Sequence, residues 1–233
     1  MRILHIGKMY YPDLGGIESV TRSLAEGALA RGHQCSVVCF QRNAFASTEK
    51  LAGVSIHRIY ARLSLASQPL SLKYFFLSAK LCREHDIVHL HAPNLIGMLT
   101  AIIFSRRNLV LHWHSDILNK GILGKLVKPI EYLCAMKARV IIATSREYVI
   151  NSSILSRFQE KVSVIPLGTE IQDSRIAFKG RSRKTILAVG RLVKYKGFDY
   201  LLKAFAKSVL DADLVIVGSG PEEQNLKQLA YSL

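Results

Sequence analysis

Met1-Arg2-Ile3-Leu4-His5-Ile6, running into Gly7-Lys8-Met9-Tyr10-Tyr11-Pro12-Asp13-Leu14-Gly15-Gly16, is the stretch on which the fold turns. A short apolar run reads as a strand. A loop punctuated by proline and glycine follows it. Residues 17–30 then place apolar side chains at helical spacing, and Gly32-His33 marks the stop. Strand, loop and helix in that order form the first half of a βαβ unit. The same alternation continues, with strands expected over residues 34–40, 54–59, 87–90, 109–112, 140–143 and 162–165. Residues 70–83 read as a helix, with Leu72, Phe75, Phe76, Ala79 and Leu81 at helical spacing. Repeated crossovers of this kind build a parallel sheet covered by helices on both faces.

After Pro166-Leu167-Gly168 the alternation stops. Residues 168–184 are polar and basic, including Lys179-Gly180-Arg181-Ser182-Arg183-Lys184, and read as an interdomain linker. Strands are expected again at 185–189 and 214–217, and helices at 198–207 and 221–230. Two strands and two helices do not cover both faces of a parallel sheet. A stretch of roughly 50 residues is also marginal for an independent core. Residues 185–233 therefore read as the opening of a second α/β domain.

Composition narrows the class. The 233 residues are 49% hydrophobic, which excludes wholesale disorder, and 32 Lys and Arg against 17 Asp and Glu leave a net charge of +15. A chain so basic attracts anions. Its four cysteines (Cys35, Cys39, Cys82, Cys134) form no C-x-x-C, so neither a disulfide scaffold nor a thiolate metal site is expected. The apolar start is too short for a signal peptide. The longest uncharged apolar stretch, residues 95–104, is about half of the ~20 residues that cross a bilayer. The expected location is cytoplasmic, peripheral to the inner face of the cytoplasmic membrane at most. No nucleic-acid partner is expected, because no recognisable binding module is present and the aromatics are not interleaved with the charges.

Several loops carry chemistry. Gly15-Gly16 precedes a helix, where unpaired backbone N–H groups and the helix dipole favour an approaching phosphate; a tight turn alone would also explain the pair. The loop is not G-x-G-x-x-G, and the second strand ends Cys39-Phe40-Gln41-Arg42 with no acidic residue for a ribose. That argues against a nicotinamide dehydrogenase. His89-Leu90-His91 and His112-Trp113-His114-Ser115-Asp116 each close a strand. Alternation puts each histidine pair on one side of its strand. Three readings compete for them: packed structural histidines, a metal site, and a polar substrate pocket. No cysteine or carboxylate completes an obvious ligand set, so no metal is expected. Within the pocket reading His114 is the best single candidate, with Ser115 and Asp116 placed to orient it. Arg191 and Lys196 follow the first strand of the second domain, where a planar fork and a point charge would clamp a diphosphate; a solvated basic loop is the bland alternative. Val217-Gly218-Ser219-Gly220-Pro221 closes the next strand; Pro221 suits the first helical position, but a structural turn is the preferred reading of it.

In combination these stretches resemble glycosyltransferases of the GT-B fold, specifically the retaining group called family 4. The resemblance is carried by residues 1–6 with the Pro12…Gly15-Gly16-Ile17-Glu18 loop, Ala30-Arg31-Gly32-His33, Asp86-Ile87-Val88-His89-Leu90-His91, His112-Trp113-His114-Ser115-Asp116, Val164-Ile165-Pro166-Leu167-Gly168, Val189-Gly190-Arg191…Lys196-Gly197 and Leu214-Val215-Ile216-Val217-Gly218-Ser219-Gly220-Pro221. The His-Trp-His-Ser-Asp form is most similar to enzymes that add mannose or a related hexose to lipid-linked surface-polysaccharide intermediates.

The resemblance implies an α/β fold of GT-B type: one complete Rossmann-like parallel-sheet domain plus the first half of a second. Residues 1–167 would form the acceptor-side domain, 168–184 the linker, and 185–233 part of the nucleotide-sugar domain. Gly15 and Gly16 would approach the donor diphosphate, and Arg191 and Lys196 would neutralise it as it departs. His114 would be the catalytic residue beside the donor sugar, with His91 and Asp116 in the same pocket. The donor would be a GDP- or UDP-hexose and the acceptor a lipid-linked saccharide; no cofactor and no metal are implied. The family's later pair of glutamates, eight positions apart, has no counterpart here, and the adjacent Glu222-Glu223 do not substitute. Little turnover is therefore expected of these 233 residues alone, and a non-catalytic binding module is the alternative.

Two basic segments complete the reading. Between Gln41 and Glu84 seven basic residues face two acidic ones. Within residues 117–139, Lys120, Lys125, Lys128, Lys137 and Arg139 outnumber Glu131 and alternate with Leu118, Ile122, Leu123, Leu126, Val127 and Tyr132. Such a segment suits either an anionic membrane surface or an ordinary solvated helix face.

Overall fold

The computed structural model describes residues 1–41, 47–65, 68–106, 108–116, 121–168 and 183–233, with the backbone alone at 121–123. The chain divides into two compact units, Met1–Glu170 and Ile171–Leu233. Most of the expected linker, including Lys179 to Ser182, lies outside the described residues.

The first unit is built from β1 (Arg2–Ile6), α1 (Gly16–Ala30), β2 (Gln34–Gln41), β3 (Ser47–Leu51), β4 (Val54–Tyr60), β5 (Leu63–Leu65), β6 (Gln68–Leu70), α2 (Leu72–Glu84), β7 (Ile87–Ala92), α3 (Leu95–Phe104), β8 (Leu109–Trp113), α4 (Gly121–Lys137), β9 (Val140–Ala143), α5 (Arg146–Asn151) and β10 (Val162–Val164). Eight strands form one sheet in the order β10-β9-β8-β7-β1-β2-β4-β3. All pairs are parallel except β3 with β4. The sequence reading has no strand at β3, because Ser47-Thr48-Glu49-Lys50-Leu51 shows none of the apolar alternation of a half-buried strand. The strand forms because it pairs with β4, as a polar cover on the sheet edge. Leu63–Leu65 and Gln68–Leu70 make a separate antiparallel pair that sequence reading also lacks.

Without β3, the order runs 3-2-1-4-5-6-7 in chain sequence, a doubly wound sheet whose direction of winding reverses between β1 and β7. Ligands of such sheets bind at the carboxyl ends of the strands at this reversal.

Alternation along the strands divides the interior. Leu4, Ile6, Val88, Leu90, Leu109, Leu111 and Trp113 face the larger core, together with residues of α2, α3, α4 and α5. Val37, Cys39, Val54 and Ile56 face the other side, where Ala25 of α1 packs. β2 is buried on both faces, which is why it reads as a continuous apolar run. All four cysteines are buried and free.

Local signals fix the element ends. α1 stops where the His33 N–H reaches the Ala28 carbonyl and the Gly32 N–H reaches Leu29. Gly32 takes the left-handed conformation (φ 80°) that this cap requires. Ser71, Asn94 and Ser145 cap α2, α3 and α5 by accepting hydrogen bonds from Tyr74, Gly97 and Tyr148 backbone N–H groups.

The second unit holds β11 (Lys184–Val189), α6 (Phe198–Ala206), β12 (Ala212–Val217) and α7 (Glu223–Ser232). β11 and β12 pair in parallel along their whole length. Ile186, Leu187, Val189 and Val217 are exposed. α7 begins at Glu223, with Glu222 as its cap, so Pro221 lies before the helix and not at its first position. The Glu222 N–H is held by the Leu192 carbonyl.

Candidate functional site

The loop after β1 is fixed from three sides. Its Gly7 carbonyl accepts hydrogen bonds from the Tyr74 hydroxyl (2.7 Å) and the Asn94 amide (3.0 Å), which bond to each other at 2.9 Å. Tyr74 and Asn94 are fully buried, so these bonds satisfy polar groups with no access to water. Further along, the buried Arg58 guanidinium donates to the Tyr11 carbonyl and pairs with Glu49 at 2.6 Å. The Arg22 guanidinium lies 4.2 Å from the centre of the Tyr11 ring. The loop is thereby pre-organised before any ligand arrives.

The loop ends at Gly15, the cap of α1, which has no side-chain capping bond. The two glycines differ. A Cβ at Gly15 would run into the Glu18 carboxylate, whereas a Cβ at Gly16 would meet nothing within 4 Å. At Gly15 the atom met is the far end of a flexible side chain, which can turn aside. Gly16 leaves open space at a helix N-terminus.

Beside this loop the structure gathers five histidines. His5 of β1 lies opposite His89 of β7, and His91 opposite His112 of β8; His114 follows just beyond the end of β8. All five sit on the sheet face away from Leu4, Val88 and Leu111, with near-parallel rings. Centroids lie 5.0 Å apart for His5–His89, 4.7 Å for His89–His91, 5.4 Å for His91–His114 and 4.2 Å for His112–His114. His5 Nδ1 is 3.2 Å from His91 Nε2, His91 Nδ1 is 3.1 Å from His114 Nε2, and His89 Nε2 is 3.3 Å from His112 Nδ1. His114 alone is half-exposed; the other four are buried.

Burial, reinforced by neighbouring imidazoles at every position but His112, pushes these groups below their ordinary value of 6.5: to about 4 for His5, about 4 for His112 and about 3 for His114. His89 and His91 are lowered well below it by the same causes, with burial the larger. The cluster is therefore neutral at pH 7, and each ring offers one N–H and one lone pair. Two trios, His5-His89-His91 and His91-His112-His114, bring one nitrogen from each ring within 4.8 Å of one another. Their ring planes are tilted by at most 27°. A tetrahedral ion needs in-plane lone pairs converging from splayed rings, which a near-parallel stack does not supply.

Asp116 does not orient His114. Its Oδ1 accepts from the buried Trp113 indole (2.7 Å), the Tyr148 hydroxyl (2.9 Å) and the Ser152 hydroxyl (3.0 Å). That carboxylate ties the end of β8 to α5, and the partner of His114 is His91. With 1% of its surface exposed, His91 stands behind His114 and does not line an open pocket. Sequence reasoning missed His5, Arg58, Tyr74 and Asn94. His5 carried a signal, since it alternates with Leu4 and Ile6 at a strand end.

In the second unit the loop after β11 is locked to the loop after β12. The Gly190 N–H donates to the Val217 carbonyl and the Leu192 N–H to the Ser219 carbonyl. A Cβ at Gly218 would strike the Gly190 carbonyl, and one at Gly220 the Leu192 backbone. Both glycines are there for close backbone approach. Arg191 and Lys196 are exposed on this loop, and neither is ion-paired among the described residues. Gly197, in the left-handed conformation (φ 70°), then caps α6.

The profile described as Glycosyltransferase Family 4 matches residues 14–173. The chain belongs to that family. The profile described as Glycosyl transferases group 1 matches the remainder, residues 170–233. Among curated relatives of this family 4 chain is the O-antigen chain mannosyltransferase C of Escherichia coli, 34% identical over 99% of the chain and 64% of the relative. Another is the D-rhamnosyltransferase WbpZ of Pseudomonas aeruginosa, 30% identical over the whole chain and 63% of the relative. The chain thus spans a little under two thirds of the length of these two relatives. Among solved structures, Anabaena HepE in complex with UDP-glucose superposes with a TM-score of 0.71 at 18% identity, covering 100% of this chain and 66% of HepE. The α/β, GT-B type of fold expected from sequence is the fold of this family 4 chain.

Proposed function

We propose that this family 4 chain serves transfer of a mannose-like or glucose-like hexose from a GDP- or UDP-sugar to a lipid-linked or surface-polysaccharide acceptor. Residues 1–167 are the acceptor-side domain, 168–184 the linker and 185–233 part of the nucleotide-sugar domain. The observation that carries the reading is one end of one sheet. There a pre-organised glycine loop opens α1 at the point where the winding reverses, and His114 emerges two strands away.

The chemistry follows from charge. Breaking the bond between a sugar and a diphosphate builds negative charge on the leaving group, and pre-placed dipoles and cations stabilise it. Gly15 and Gly16 offer the N–H groups of α1, and Arg191 and Lys196 offer cations. His114, neutral at pH 7, contributes a hydrogen bond to a sugar hydroxyl. No cofactor is invoked. The names of the O-antigen and rhamnose relatives support the polysaccharide setting.

Thermal unfolding with UDP- and GDP-sugars tests this. Binding at 100 times Kd adds about 2.7 kcal/mol to stability. A Tm that rises with one donor series supports the reading, and no shift with either series sinks it. A shift without sugar transfer would favour the binding-module reading.

The basic segment finds a place in α4. The Leu118 and Lys120 positions lie outside the described residues, as do the side chains of Ile122 and Leu123. Glu131 is buried, while Leu126, Tyr132, Leu133 and Met136 are exposed together with Lys125 and Lys128. An outward face of cations and apolar groups suits an anionic membrane. Among the described residues no helix is long and apolar enough to cross one. Salt-sensitive sedimentation with anionic liposomes is expected, and equal binding to neutral ones would refute the docking.

A further inference from the structure

The hydrogen-bonded row His5–His91–His114 leaves its protons little choice. His91 is neutral and holds one N–H, yet each of its nitrogens faces another imidazole nitrogen, at 3.2 Å and 3.1 Å. Each contact needs one donor and one acceptor. Two arrangements satisfy both. In one, His5 donates from Nδ1 to His91 Nε2, and His91 donates from Nδ1 to His114 Nε2. In the other, every proton moves to the opposite nitrogen.

The buried end decides between them. His5 Nε2 is enclosed and has no hydrogen-bond partner among the described residues. The second arrangement puts a proton on that nitrogen, burying an unpaired N–H donor. The first leaves only an unpaired lone pair. Buried N–H groups without partners are the rarer and costlier case. The second histidine pair follows the same rule: His112 Nε2 is also buried without a partner among the described residues, so His112 donates from Nδ1 to His89 Nε2.

We propose that His91 is a positioning residue that donates its Nδ1–H to His114 Nε2 and so holds His114 in the Nδ1–H tautomer. His114 then presents a hydrogen-bond donor from its other ring nitrogen, which bonds to no described residue. A free histidine side chain prefers the opposite tautomer, with the proton on Nε2, so the row overrides the intrinsic preference. The sugar group met by His114 is consequently an acceptor oxygen. This consequence for the substrate rests on the proposed function; the tautomer does not.

The test is long-range 1H–15N correlation of the 15N-histidine-labelled 233-residue chain without ligand, with His114 assigned by His114→Gln. The expected wild-type spectrum shows a pyridine-type Nε2 and a pyrrole-type Nδ1 for His114. In His91→Leu the two types are expected to exchange toward Nε2–H. In His91→Asn, whose amide reaches the position of Nδ1 and can donate, the wild-type pattern is expected to be retained. A wild-type His114 protonated at Nε2 overturns the proposal, whether or not the variants fold. So does an unchanged pattern in a folded His91→Leu chain. Coordination shifts of both His91 and His114 with added Zn2+ alone would also overturn it, replacing the hydrogen bond with a shared ion. Perturbation of the His114 signals by UDP- or GDP-sugars is a separate readout: its absence would remove the functional reading and leave the tautomer assignment standing.

Discussion

β1 and β11 each open a unit with a short apolar strand, a glycine-bearing loop and a helix, yet their surroundings are opposite. β1 lies between β2 and β7, and its Leu4 and Ile6 are fully buried. β11 pairs with β12, and its Leu187 and Val189 are 61% and 70% exposed. The loops differ in kind as well. The one after β1 is held by buried polar side chains and lies beside histidines, whereas the one after β11 is held by backbone contacts and carries cations. Within these 233 residues a similar strand sequence is covered in one place and bare in the other, because burial belongs to the neighbours.

The largest expected effect follows from that contrast. Leu4→Ala should cost about 2–5 kcal/mol in urea unfolding, the usual range for a buried leucine. Leu187→Ala should cost less than about 1 kcal/mol, as expected of a largely exposed site. Equal losses would break the comparison.

Acid should separate the units next. All eight histidines lie in the first unit, the last at His114. Unfolding returns the clustered imidazoles from their lowered values to about 6.5, so between those limits the unfolded chain binds more protons. Stability is thus complete above pH 6.5 and falls as pH drops toward 4. His5 alone contributes on the order of 3 kcal/mol to that loss, from its shift to about 4. Trp113, the single tryptophan, reports the first unit by fluorescence. A Trp113 transition unchanged between pH 7 and pH 5 would contradict a buried neutral cluster.

Smaller effects sharpen the difference between the loops. Gly16→Ala meets no atom within 4 Å, so Tm should hold or rise slightly. Nucleotide-sugar affinity, read by calorimetry, should fall about tenfold, roughly 1.4 kcal/mol. Unchanged affinity would remove Gly16 from the donor site. Arg191→Ala and Lys196→Ala should leave stability within about 0.5 kcal/mol. Both should weaken donor binding and reduce its salt dependence. A salt dependence identical to wild type would reduce the two cations to a solvated loop.

Much of this was legible in residues 1–34. The strand, the helix and its stop at Gly32 are local, set by apolar spacing and by a turn that favours glycine. Gly15, Gly16 and His114 were legible as candidates for the same reason, since each closes or opens an element. β3 was not legible, because its pairing with β4 and not its own pattern makes it a strand. Nor was the role of Asp116, which looked like an orienting neighbour of His114 by sequence. Three donors from Trp113, Tyr148 and Ser152 take up one of its oxygens.

By itself the sequence determined the alternation of strands and helices, the positions of the loops and the excess of positive charge. These depend on side-chain spacing and composition within a few residues. Only the tertiary structure decided that histidines from three strands form one stack and that Tyr74, Asn94 and Arg58 hold the glycine loop. Register between strands distant in the chain is set by packing of the whole sheet, and no local pattern encodes it.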